Sequence, residues 1–392
     1  MAVRGRPVLD RFGNPGYLAY TSFVDVAKCN LLSGIICPVD QVSYVADCRP
    51  ATSQDGGASW KLHDVPQFDI GESDLFFRRP CVARSPANPN RIWYSTSRHA
   101  WYATPPQGGM WRSDDNGETW TENLFAGQPG SSGMVSYILP DPDDADRVFI
   151  GRGYDFGNVA VSRDAGATFT VICGHDNVSK TGDGRCNGGY LMADFAADLM
   201  ISKTWWQPAL SLKLDGSNPE QVQFPGVNEF DGSPHLFDSL DLPVKGLTKT
   251  AGGSMGRWTP SHGFLYGAYN DGMLYYAAGG TATVSSAVQV PGVRLDVEHA
   301  NALWLAHPTQ NCSWIAQTGA TTLLATRNCG QSWTPLKMDG VDFSGAADPR
   351  IVTGNYLPDH TGRLVIFLSN GKRYRFTPQQ RTPVRSTTVT KE

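Results

Sequence analysis

The 392-residue sequence is short of charge: Asp, Glu, Lys and Arg make up 18% of it, against about 25% in an average globular chain. No apolar run reaches 18 residues, so a membrane-spanning helix is excluded. The 8 cysteines and 8 histidines show no CxxC, HxH or HExxH spacing. A metal site is therefore not expected, nor is any cofactor. GxSxG and P-loop patterns are also missing, which removes a serine nucleophile elbow and a phosphate cradle. The 33 basic and 37 acidic residues leave a net charge of −4, which argues against a nucleic-acid-binding surface. Behind Met1 two arginines stand without an apolar segment after them, so no cleavable secretory signal is expected.

Glycine (42), proline (26) and tryptophan (11) are abundant. That composition suits a turn-rich all-β chain and excludes disorder, collagen and coiled coil. The length is about twice that of a usual domain, which points to two domains or one large repeat architecture. Internal repeats come first. Four segments share the frame Ser/Thr-x-Asp/Asn-x-Gly-x-Ser/Thr-Trp/Phe: Ser53, Asp55, Gly57, Trp60; Ser113, Asp115, Gly117, Trp120; Ser162, Asp164, Gly166, Phe169; and Thr326, Asn328, Gly330, Trp333. Four matches in one chain are not chance. In such a frame the Asp or Asn side chain accepts turn N–H groups, and Gly supplies φ > 0. The hydroxyls bond locally, and the aromatic ring opens the next strand and packs between sheets.

This frame resembles the Asp-box (BNR) hairpin of sialidases, sortilin-type receptors and xyloglucanases. Each box follows strand, Pro/Asn/Asp turn, strand and strand, and precedes a fourth strand, which makes one propeller blade. Box aspartates lie 60 and then 49 residues apart, and the 164 residues from Asp164 to Asn328 hold three such spacings. The expected fold is all-β, a single seven-bladed propeller of four-stranded antiparallel blades over residues 31–378. Residues 1–30 are expected as an arm that closes the ring against the last blade, and 379–392 as a polar tail. The stretch from Asn228 to Gly253 reads as a long loop.

The resemblance implies that box residues are structural, on the outer rim. A sialidase needs three convergent arginines, a Tyr–Glu nucleophile pair and an Asp, with the first arginine in Phe-Arg-Ile-Pro ahead of the first box. Here Phe77-Arg78-Arg79-Pro80 falls after it. A xyloglucanase-type glycosidase needs two carboxylates facing across a cleft. The innermost strands offer Asp194 and Asp198, and Asp296 and Glu298. If Leu295–Asn301 is a strand, Asp296 and Glu298 share a face. His175 reads as a loop residue. Trp101-Tyr102 and Trp205-Trp206 serve either for stacking on sugars or for filling gaps between blades.

The expectation drawn from this is a non-catalytic propeller, a structural or receptor- and glycan-binding part of an extracellular assembly. The type is a phage virion or tail protein, cytoplasmic during assembly and then in the virion or extracellular. Its partners would be other virion proteins or a surface glycan or receptor, with no membrane insertion. The alternative is a glycoside hydrolase. Finally, Cys312 lies in the turn between the first two strands of its blade and Cys329 in the fourth box, at the same end of one sheet. That placement makes them a disulfide candidate, with two free thiols as the alternative.

Overall fold

In the computed structural model, the described residues are 2–4, 42–46, 49–53, 59–65, 81–85, 87–97, 108–122, 124, 134–153, 158–174, 190–203, 209–226, 257–259, 261–268, 272–279, 281–296, 303–307, 309–346, 349–356, 364–368, 372–377 and 388–391. They form seven separate antiparallel sheets. Sheet one holds β1 (Ala2–Arg4), β2 (Val42–Ala46), β3 (Arg49–Ser53) and β4 (Ser59–Leu62). Sheet two has three strands, β5 (Cys81–Arg84), β6 (Ile92–Ser97) and β7 (Gly108–Ser113). Sheet three follows with β8 (Met134–Pro140), β9 (Val148–Gly153), β10 (Asn158–Ser162) and β11 (Thr170–Gly174). Sheet four comprises β12 (Tyr190–Asp194), β13 (Leu199–Lys203), β14 (Ala209–Leu212) and β15 (Glu220–Val222). In sheet five are β16 (Arg257–Trp258), β17 (Phe264–Gly267), β18 (Leu274–Ala277) and β19 (Val288–Gln289), with a 3-10 helix over Thr281–Ser286 before the last. Sheet six is β20 (Trp304–Ala306), β21 (Trp314–Gly319), β22 (Thr322–Thr326) and β23 (Thr334–Pro335). Sheet seven is β24 (Ile351–Tyr356), β25 (Leu364–Leu368), β26 (Arg373–Thr377) and β27 (Thr388–Lys391).

Alternation along each strand explains how the sheets pack. In sheet three, Phe149, Val159 and Val161 enter one apolar cluster, shared with sheets four to six. Their neighbours Val148, Ile150 and Ala160 enter another, shared with Ala83, Trp93 and Met110 of sheet two. Sheet six does the same: Trp304, Trp314 and Ala316 face sheet five, while Leu303, Leu305, Ile315 and Leu323 face Ile351, Leu364, Ile366 and Tyr374 of sheet seven. Both faces are covered, which is why β10 is buried at every position. Each large side chain removed from water this way contributes about 1.5–3 kcal/mol.

The expected closed seven-bladed ring of four-stranded blades is corrected by this topology; only its all-β character stands. No strand pairs one sheet with another, and sheet two is three-stranded among the described residues. From the N-terminal arm, β1 pairs with β4 of its own sheet, through Ala2–Lys61, Val3–Trp60 and Arg4–Ser59, and does not join the last. The last sheet is completed by its own C-terminal β27, within the segment expected as a tail. The physical reason is local: an open strand edge takes the nearest strand that can satisfy its N–H and C=O groups. Each terminus caps the sheet beside it.

Candidate functional site

Antiparallel alternation puts turns from first to second strand, and from third to fourth, at one end of each sheet. Loops from second to third strand and connections between sheets gather at the other. The candidate residues divide between these two ends.

At the first end stand the repeated turns. Ser113 Oγ donates to Asp115 Oδ1 at 2.8 Å and accepts the Gly117 amide at 2.7 Å. Asp115 accepts the Thr119 amide at 2.8 Å and its hydroxyl at 2.6 Å. Ser162, Asp164, Gly166 and Thr168 repeat the same four distances. Around Asn328 the pattern is kept with one bond reversed: its Oδ1 accepts from Thr326 Oγ1 at 2.9 Å and from the Ser332 amide at 3.0 Å, while Nδ2 donates to Ser332 Oγ. For Asp115, burial pushes the carboxyl pKa up, but the bonds from Thr119 and Ser113 outweigh it and hold the group below the ordinary value. Asp164 behaves alike. The rings close the turns: Trp120 Nε1 donates to the Gly117 carbonyl, and Trp333 Nε1 reaches Pro291 ahead of sheet six, both at 3.0 Å. Phe169 packs on the cluster between sheets two and three. Ser53 ends β3 and Trp60 lies in β4, while Asp55 and Gly57 fall outside the described residues.

Asp194 and Asp198 also lie at this end, flanking the turn from β12 to β13. Asp194 is buried; its Oδ1 accepts the Ala197 amide at 3.1 Å, and its Oδ2 sits 2.6 Å from His262 Nδ1. His262 belongs to the turn from β16 to β17, where Thr259 Oγ1 accepts the Gly263 amide at 3.0 Å. Beside it, Ser261 Oγ donates to Asn311 Oδ1 of the turn from β20 to β21 at 2.7 Å. Sheets two and three are tied in the same manner by Arg91, whose guanidinium meets Asp114 and Asp146, each at 2.5 Å. Asp198 is exposed, with φ +54°, and accepts the Leu214 amide at 3.4 Å. These polar groups fasten neighbouring turns together.

Asp296 lies at the other end. Its amide donates to the Gln317 carbonyl at 3.0 Å, and the Leu295 amide donates to Gly272 at 2.6 Å. Gln317 sits four residues beyond Ser313 and the turn that opens β21, about 13 Å along the strand. Asp194 and Asp198 are therefore not brought together with Asp296 across one cleft: they occupy the turn end, and Asp296 the loop end. Leu295 and Asp296 belong to a connection and not to a strand. Glu298, His175, Arg78, Trp101-Tyr102 and Trp205-Trp206 lie outside the described residues.

Sequence reasoning passed over Gln317. Its buried side chain accepts the Leu303 amide at 3.1 Å and donates to Ile351 at 3.1 Å and to Ala320 at 3.4 Å. A glutamine among apolar residues in β21 was the available signal. Cys312 and Cys329 are joined as a disulfide, with Cα atoms 4.0 Å apart, and Cys173 is disulfide-bonded as well. Among the described residues no cluster of His, Cys, Asp and Glu could hold a metal ion, and no helix is long and apolar enough to cross a membrane.

No family model matches the chain. Over 227 residues, 55% of this chain, it is 27% identical to the xyloglucanase Xgh74A of Acetivibrio thermocellus, covering 25% of that protein. A second Xgh74A sequence of that species is 26% identical over the same length. The chain thus spans about a quarter of the length of the curated relatives it matches. Among solved structures, an ancestral GH74 enzyme has a TM-score of 0.53 at 15% identity, over 90% of this chain and 45% of that one. YCF48 bound to D1 peptide has a TM-score of 0.51 at 12% identity, over 97% of both chains. At these identities the solved structures show the fold alone.

These findings correct the family resemblance. The chain distantly resembles GH74 xyloglucanase domains, not a closed Asp-box propeller of the sialidase (BNR) type and not a phage tail or virion protein. The reading as a non-catalytic structural or receptor-binding component falls with it, and the glycoside hydrolase alternative is favoured. The reason for the error is that a hairpin turn is a local solution to hydrogen bonding, which many folds with unrelated functions can share.

Proposed function

We propose that this chain is a glycoside hydrolase domain of the xyloglucanase kind, and that its substrate is a xyloglucan-type polysaccharide. The observation that supports this is the 27% identity to Xgh74A over 227 residues. Hydrolysis of a glycosidic bond needs two carboxyl groups across the scissile bond, about 5–5.5 Å apart for retention and about 6.5–9.5 Å for inversion. Asp296 is our candidate for one of them, because it stands where loops and sheet connections gather. Asp194 is not, because its two oxygens are engaged by His262 and Ala197. The disulfide between Cys312 and Cys329 supports action outside a reducing compartment.

The test is reducing-end release from xyloglucan by purified protein, with mannan and xylan as comparisons. Hydrolysis of xyloglucan alone, lost about 10³-fold in Asp296→Asn and kept in Asp194→Asn, is the expected result; a single catalytic side chain carries a loss of that order. No product from any of the polysaccharides, or an Asp296→Asn variant as active as the parent, defeats the reading.

A further inference from the structure

Gln317 touches the chain on both sides of the connection that leads into β20. Its backbone carbonyl accepts the Asp296 amide at 3.0 Å, and its backbone amide donates to the Leu303 carbonyl at 2.6 Å. Its side-chain oxygen accepts the Leu303 amide at 3.1 Å. The side-chain nitrogen then crosses to sheet seven and donates to the carbonyl of Ile351, the first residue of β24, at 3.1 Å. The main chain of Gln317 thereby bonds Asp296 and Leu303, while its side chain ties the approach to β20 to the start of β24, the first strands of sheets six and seven. The side chain is 1% exposed, so water cannot replace these bonds.

A strand needs none of this. The ladder between β20 and β21 pairs Trp304 with Ala316, Leu305 with Ile315 and Ala306 with Trp314. An apolar residue at 317 would fit the surrounding Leu303, Ile315 and Ile351. A primary amide here satisfies an acceptor and a donor on two different sheets at once. Neither a carboxylate nor an aliphatic chain can do that.

We propose that Gln317 is a positioning residue for the proposed hydrolase site: its side chain pins β21 between Leu303 and Ile351, and the main-chain carbonyl so fixed holds the Asp296 amide in place at the loop end. This rests on the hydrolase reading above. Catalysis by a carboxylate depends on sub-ångström placement, and a displacement of about 1 Å costs about 10²-fold in rate. Deleting the amide would act on kcat and leave substrate contacts in place.

The experiment compares the parent chain with Gln317→Leu and Gln317→Glu, by steady-state kinetics on xyloglucan and by hydrogen exchange at the Leu303 amide. The expected result is folded Gln317→Leu protein with kcat down about 10- to 100-fold, KM within a few-fold, and faster exchange at Leu303. Gln317→Glu keeps an acceptor for Leu303 but loses the donor to Ile351, so it should recover part of the rate and the protection at Leu303. An unchanged kcat in Gln317→Leu, or a higher KM alone, overturns the proposal. If the parent hydrolyses nothing, the hydrolase reading fails by itself. Exchange then judges the anchoring role: unchanged protection at Leu303 in Gln317→Leu overturns it, and faster exchange there upholds it.

Discussion

The Cys329 amide donates to the Cys312 carbonyl at 3.1 Å, beneath the disulfide that joins their side chains. Asn116 makes the same bond to Asn90 in sheet two, and Ala165 to Asp146 in sheet three, each at 2.8 Å. All three donors are left-handed, with φ of +62°, +56° and +54° for Asn116, Ala165 and Cys329. A backbone bond thus binds the two turns at one end of sheets two, three and six, and sheet six adds a covalent bond to it.

Cys312 is left-handed too, at φ +59°. A β-carbon in that region costs about 1–2 kcal/mol, except that Asn tolerates it well. Replacing both cysteines by alanine therefore leaves that strain in place and loses the bond, itself about 3 kcal/mol for a loop of this length, whereas asparagine relieves the strain. The pair Cys312→Asn and Cys329→Asn should melt above the pair Cys312→Ala and Cys329→Ala by the equivalent of about 2 kcal/mol. Calorimetry of the two double variants checks this, and equal melting temperatures sink it.

Gly330 and Gly279 share a positive φ, +81° and +88°, but not their surroundings. A β-carbon at Gly330 would meet Val290 Cγ1 at 2.1 Å, whereas one at Gly279 meets nothing within 4 Å. Gly279→Ala should cost only the backbone strain, about 1 kcal/mol. Gly330→Ala should cost at least about 2 kcal/mol more, because a buried valine has to move. Denaturant titration ranks them, and a Gly279→Ala variant as unstable as Gly330→Ala contradicts the packing at the fourth turn.

At Asp115 the fourth turn predicts which substitution is tolerated. Asn328 occupies the equivalent place and keeps the Ser332 amide bond. Asp115→Asn should be close to neutral at pH 7, while Asp115→Ala hands the exposed Thr119 donors to water and loses about 0.5–1.5 kcal/mol. Because the Asp115 carboxyl is held below its ordinary value, its contribution is complete above the unfolded value and disappears as pH falls through the folded one. Asp115→Asn should remove that part of the acid sensitivity. A chemical melt repeated at pH 7 and pH 3 shows whether it does.

The box turns were legible because Ser, Asp and Gly each have a turn chemistry of their own. The left-handed residue between Asp and Gly was not, since Ala165 and Cys329 have no preference for it. Nor were the turns of sheets four and five, which lack a box. Sheet four turns through Asp215-Gly216, and sheet five puts the 3-10 helix Thr281–Ser286 where sheets three and six have the box hairpin. Ring closure failed as an inference because pairing of β1 with β4 is decided by geometry between edges, which composition does not encode. For Asp194 and Asp198 the end of the sheet was not legible: strand direction is absent from a spacing argument. His262, 68 residues from Asp194, could not be paired with it from the chain alone.

His63 joins sheets one and two. It is 4% exposed, its Nε2 lies 2.7 Å from Thr52 Oγ1, and a β-carbon on Gly117 would strike its ring at 2.7 Å. Trp120 packs edge-on against it at 6.4 Å between centroids. Burial lowers its pKa most; Lys61 and Arg84 lower it further, against the opposing pull of Glu118 and the Gly117 backbone. The folded chain thus resists the proton that the unfolded chain accepts near pH 6.5. Stability is complete above that value and falls as pH drops below it toward the depressed folded value. His63→Gln keeps a side-chain amide within reach of Thr52 and cannot titrate, so it should flatten the melting temperature between pH 7.5 and pH 5 while the parent declines. Glu118→Gln removes the carboxylate that opposes the shift and should steepen the decline. Parent and His63→Gln curves that run parallel over this range would show that His63 is not the group the protons reach.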